Sequence, residues 1–117
     1  MAEYSSGMMI ESEVRPDRAV GNTMVVYWHE DCFVDDPPYR KIVRWMLTIW
    51  RDRFDVALVG EPKEKKDEDF VVHDVLLGGR PLSVYWENSL GYISLQSKDE
   101  ALIREAARLL KGRKPEI

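Results

Sequence analysis

The sequence predicts an α+β domain, a mostly antiparallel sheet of four to five strands with two helices packed on one face. Three observations predict it. Short runs of β-branched and aromatic residues recur between turn signals. Two longer stretches carry apolar residues at three- and four-residue steps, the period of a helix. Gly78-Gly79 joins two strand-like runs through a link so short that they must pair antiparallel. The 117 residues suit one domain, and a chain of this size buries about two-thirds of its unfolded surface.

Residues 1–7 are small and polar and are expected to fray. Residues 8–14 suit a short edge strand, although Glu11 and Glu13 oppose it. Arg15-Pro16-Asp17 and Gly21-Asn22 read as turns. Residues 23–29 (TMVVYWH) are a strand, and their nearly continuous apolar run predicts cover on both faces. Residues 30–36 form an acidic connector. Asp36-Pro37-Pro38 then looks like a helix start, since aspartate caps free N–H groups and proline lacks a donor that the first turn does not need.

That helix is expected to run to about Arg53. Tyr39, Ile42, Val43, Met46, Ile49, Trp50 and Phe54 form its apolar stripe, with Trp45 lying off it. Residues 55–60 make the next strand, and residues 61–69 (EPKEKKDED) a charged loop. Residues 70–77 and 82–87 flank the Gly-Gly turn, with Leu82, Val84 and Trp86 on one face and Ser83, Tyr85 and Glu87 on the other. Residues 92–96 form the last strand. Ser97-Lys98-Asp99-Glu100 has the capping-box pattern, with Ser97 as cap and Glu100 reaching back. Leu102, Ile103, Ala106, Leu109 and Leu110 follow as a buried stripe, and Gly112 ends a second helix spanning about residues 98–111.

The composition narrows function by exclusion. Apolar residues at 44% and charged residues at 32% argue for a folded core rather than general disorder. Cys32 is the single cysteine, so no intramolecular disulfide forms, which favours a reducing compartment. The first residues lack the basic and apolar pattern of a secretory signal, and no apolar run approaches the ~18 residues that span a membrane. A cytoplasmic location without membrane partners is therefore expected. The net charge is −4, with residues 1–36 carrying eight acids against two bases. That balance disfavours nucleic acid, whose affinity comes from neutralising phosphates, and suits a basic protein partner.

Catalytic signals are sparse. His29, Cys32 and His73 are the only candidates for a thiolate nucleophile or a metal site, and the H-x-x-C spacing is below the paired-ligand patterns of structural zinc. The plain structural alternative has His29 ending a strand, Cys32 buried as a small residue, and His73 on a solvent-facing strand position. Gly78-Gly79 lies between two strands and so is no phosphate cradle. No catalytic residue, metal or cofactor is assigned. The connector is more informative. Glu30, Asp31, Asp35 and Asp36 surround Phe33 and Val34, a mixture suited to steering and anchoring a partner. Glu30, Asp31, Phe33, Asp35 and Asp36, with the off-stripe Trp45, are the expected partner-binding residues. The bland alternative has Asp36 capping the helix and Phe33 packing inward.

Residues 82–110 (LSVYWENSLGYISLQSKDEALIREAARLL) resemble bacterial immunity proteins that accompany secreted polymorphic toxins. The resemblance rests on a strand, a tight turn, a strand carrying GYISL, a capped helix, and acidity. It implies a protein that binds a cognate toxin and occludes its active site. No family residue is carried over. Two other readings stand beside it. One is a small hydrolase or metal-dependent enzyme using His29, Cys32 and His73. The other is a homodimeric accessory domain pairing through its sheet.

Overall fold

The computed structural model describes residues 13–28, 39–65, 70–87, 91–113 and 115. Its elements are β1 (Arg15–Asp17), β2 (Gly21–Trp28), α1 (Tyr39–Arg51), β3 (Val56–Leu58), β4 (Lys63–Lys65), β5 (Phe70–Leu77), β6 (Arg80–Glu87), β7 (Tyr92–Ser97) and α2 (Glu100–Leu110). The α+β class is as expected. The sheet is larger than the expected four to five strands: an antiparallel path β1-β2-β7-β6-β5-β3, with β4 also pairing β5.

The extra strands are short edge pieces in segments that read as turn or loop. Arg15–Asp17 pairs with Gly21–Thr23 instead of turning, and the turn falls on residues 18–20. Pro16 is acceptable there because an edge strand does not need every N–H. Asp17 closes the turn by accepting from the Ala19 and Val20 amides at 2.8 and 3.2 Å. The expected loop of residues 61–69 contains β4, which extends the β5 edge below β3. The residue 8–14 strand is not seen in its described part, Glu13 and Val14.

The β5–β6 hairpin matches its sequence. Gly78 and Gly79 take φ of +58° and +79°, which non-glycine residues rarely adopt. Strict alternation then sends Val71, Val75 and Leu77 with Leu82, Val84 and Trp86 toward the helices. Helix α1 buries Tyr39, Ile42, Val43, Met46, Leu47 and Trp50, while Ile49 and Phe54 pack at its margin. Helix α2 buries Leu102, Ile103, Ala106, Ala107 and Leu110. The two helices are tied by the Trp50 indole N–H, which donates to the Ala106 carbonyl at 3.0 Å inside the core.

The cap of α2 is Asp99, two residues later than the expected Ser97. Its carboxylate accepts from the Leu102 amide at 3.1 Å, while Ser97 Oγ accepts from the Asp99 amide at 3.0 Å. Ser97 is still the last residue of β7, and its hydroxyl donates to the Pro81 carbonyl at 2.8 Å. A residue held in the ladder cannot also be the cap. Gly21 begins β2 against this corner. At φ +92° it has no room for a side chain, since a Cβ would lie 2.8 Å from Lys98 Cα.

Strand β2 departs most from expectation. It is not covered on both faces: Thr23 and Val25 are half-buried and Trp28 is exposed. The apolar run has another cause. The register shifts between Val25, opposite Ser94, and Tyr27, opposite Ile93. This bulge buries both Val26 and Tyr27 and re-aims the next residue. Trp28 therefore lies on the face away from the helices.

Candidate functional site

The face of the sheet opposite the helices is the candidate site. Cross-strand register lays its residues out in rows. Trp28 on β2 stands opposite Tyr92 on β7, Tyr92 opposite Glu87 on β6, and Glu87 opposite Phe70 on β5. The next row is Val25, Ser94, Tyr85 and Val72, followed by Thr23, Gln96, Ser83 and Asp74. Directly opposed residues project to the same face, so these twelve share one surface. It encloses a shallow hollow of about 630 Å³, rimmed at the β1 edge by Arg15 and Asp17.

Four rings run across the first two rows. The Trp28 and Tyr92 centroids are 5.2 Å apart, those of Tyr92 and Tyr85 6.1 Å, and those of Tyr85 and Phe70 5.1 Å. All three pairs are tilted, a favourable geometry for ring quadrupoles. Trp28 is 38% exposed, the tyrosines and Phe70 less so. The Tyr85 hydroxyl donates to Glu87 Oε2 at 2.5 Å. Burial, followed by the Glu87 carboxylate, pushes the Tyr85 hydroxyl well above the usual tyrosine range, and Tyr92 is raised for the same reasons. Both tyrosines therefore stay protonated near neutral pH.

Toward the third row the surface is a polar pair. Ser83 donates to Asp74 at 2.6 Å, and Lys63 approaches the same carboxylate at 3.2 Å. The Ser83 bond, opposed by burial and aided by Lys63, holds the Asp74 carboxyl below its ordinary value.

The sequence-expected residues fall elsewhere. Glu30, Asp31, Phe33, Asp35 and Asp36 lie outside the described residues, as do His29 and Cys32. Trp45 is half-buried on α1 and packs against the core margin. His73 is on the helix side of β5, not solvent-facing, because it shares a face with Val71 and Val75. Its ring lies 5.4 Å from Trp86, which also stacks on Tyr39 at 5.6 Å and lies beneath the Arg40 guanidinium at 5.7 Å. His73 Nε2 is buried without a hydrogen-bond partner among the described residues. Burial, then the Arg40 charge, lowers its pKa against a smaller opposing pull from Asp74.

His73 and the aromatic row are thus on opposite faces. Among the described residues, no group of three or more His, Cys, Asp or Glu is placed to hold a metal ion, and no helix is long and apolar enough to cross a membrane. Sequence reading named Tyr85 and Glu87 as sharing a face but missed the row, which depends on the β2 bulge and on strand order. Compared with known proteins, the chain matches no family model, no curated protein and no solved structure.

Proposed function

We propose that this chain is a binding protein that captures another protein on the open face of its sheet, in the role of an immunity protein neutralising a cognate toxin. The observation that carries the reading is the row of Trp28, Tyr92, Tyr85 and Phe70 across four adjacent strands. Interface energy concentrates in a few aromatic anchors, and Trp and Tyr serve well because a rigid apolar ring ends in a polar tip. Here the rings also order one another before any partner arrives, which reduces the entropy lost on docking. The acidity of the chain suits a basic partner and speeds encounter with it. The toxin role comes from the resemblance of residues 82–110 and is carried as part of the proposal.

The test is co-expression with the product of the neighbouring gene. The expected result is a co-eluting complex and rescue of growth from that product's toxicity. Trp28→Ala and Tyr92→Ala should each weaken the complex tenfold or more, equivalent to about 1.4 kcal/mol, while the chain stays folded. A harmless neighbour that forms no complex would sink the toxin role. A complex indifferent to both substitutions would sink the docking face.

A further inference from the structure

The hollow in the open face has one residue as its cause. Ser94 is small, and the residues around it are larger. Tyr92 and Gln96 stand two positions away along β7, while Val25 and Tyr85 stand opposite it on β2 and β6. Strands β2 and β6 flank β7, so their backbones are about 10 Å apart across Ser94. That span leaves space above Ser94 for one flat ring. All five residues line the hollow of about 630 Å³, a volume ordinary for small-molecule sites. The β1–β2 turn closes one side with Ala19 and Val20, whose amides Asp17 holds at 2.8 and 3.2 Å.

The floor is polar but uncharged. Ser94 is 2% exposed, yet its hydroxyl makes no hydrogen bond among the described residues. Nor do the side chains of Thr23 and Gln96, which oppose each other in the adjoining row and also line the hollow. A nearly buried hydroxyl without a partner is costly, so this one points to a group that would meet it. Among the described residues of the lining, the charges are Arg15 and Asp17, both on β1 at the rim.

We propose that the hollow over Ser94 is a binding site for one small, uncharged heteroaromatic ring with a donor and an acceptor on the same edge, a purine base by preference. The site goes beyond the docking reading above and does not rest on it. Each part of the ligand class follows from a part of the lining. Tyr85, Tyr92 and Trp28 supply rings against which a flat base stacks. The Gln96 amide carries a donor and an acceptor side by side, the pair that meets the amino group and N7 of adenine. The Ser94 hydroxyl either donates to the ring or accepts from it at the floor. A purely apolar ring would strand that hydroxyl. A charged ring would lose its water over a floor that offers no countercharge. A pyranose has no π face to meet the rings, and is the rival that the test must separate.

The test is an NMR titration of the full chain with adenosine. Saturable shifts should centre on Thr23, Val25, Tyr85, Ser94 and Gln96, with a dissociation constant on the order of 1 mM or below. Purine riboside, which lacks the amino group, should bind at least threefold more weakly. Indole and methyl glucoside should each bind at least tenfold more weakly. Ser94→Ala and Gln96→Met should each weaken adenosine threefold or more, and Ser94→Val, which fills the floor, should abolish the shifts. AMP in parallel separates two carriers of the base. Tighter binding than adenosine marks a nucleotide as the ligand, and equal or weaker binding marks the nucleoside. No saturable shift with adenosine, shifts centred elsewhere, or equal binding of indole or methyl glucoside would overturn the proposal. So would adenosine binding indifferent to both Ser94→Ala and Gln96→Met. The ligand series on the wild type reads the chemistry of the site even where a variant folds poorly. Failure of adenosine while Trp28→Ala still breaks the partner complex removes the hollow and leaves the docking face.

Discussion

At the scale of single residues, His73 and Glu87 are one pleat face apart and behave oppositely. Glu87 lies on the open face, where it accepts a hydrogen bond from Tyr85. His73 is a neutral ring packed on Trp86, with its Nε2 buried and the Arg40 charge nearby. Burial disfavours a charge on His73, and protonation would also set it beside the Arg40 cation, so its folded pKa lies below the ordinary histidine value of 6.5. The unfolded chain then takes up the proton first as pH falls. Stability is intact above about pH 6.5, is lost as pH drops from there toward the folded pKa, and levels off below it. Asp74 and Asp99 have lowered pKa values, so their contribution stays in place until pH falls below 3.8. The two windows are separate. Urea midpoints measured from pH 7.5 to 5 should decline for the wild type and decline less for His73→Gln. Parallel pH profiles would show that His73 has the same pKa in the folded and unfolded chain, against this account.

At the scale of elements, what could be read from sequence divides by how local its cause is. The β5–β6 hairpin was legible because two glycines set both the turn and the offset, and that offset already puts Glu87 opposite Phe70. Both apolar helix stripes were legible from their period. Strands β1 and β4 were not, because three-residue edge pieces form only where a longer neighbour offers free backbone groups. The bulge in β2 was not, because Val26 and Tyr27 side by side look like a strand buried on both faces; hence Trp28, the outermost ring of the site, went unrecognised. The α2 cap was legible in kind and misplaced in position. Asp99 caps Leu102 and also receives Arg80 Nε and Nη2 at 2.8 and 2.6 Å. Asp99→Ala removes the cap and should cost about 1–2 kcal/mol. Asp99→Asn keeps a good cap and weakens only a largely solvent-screened ion pair, so it should cost less than half as much. Chemical denaturation of the two variants checks the order, and equal losses would show that the ion pair matters more than the cap.

At the scale of the whole molecule, the sheet is strongest where the candidate site is built. Strand β7 is paired along nearly its whole length on both sides, and β6 is paired throughout by β5 and over Ser83–Glu87 by β7, whereas β1 pairs only the first three residues of β2. The edges are weak by comparison. Strands β1 and β3 have three residues each, and Leu58 at the end of β3 and Val59 just after it are 57% and 47% exposed. Local opening needs the loss of few contacts at such edges, whereas exposing β6 requires the helices to leave the core. Hydrogen exchange should therefore show amides of β6 and β7 opening only with global unfolding, and amides of β1 and β3 exchanging at least a hundredfold faster. Equal protection of β3 and β6 would contradict this ordering. The ordering bears on function, since aromatic anchors on the most protected strands lose little freedom when a partner docks. A docking face spread over β1 and β3 would first have to be ordered. The placement of Tyr92 and Tyr85 on the inner strands β7 and β6 is thus a physical reason to look for the partner at the centre of the open face, not at its edges.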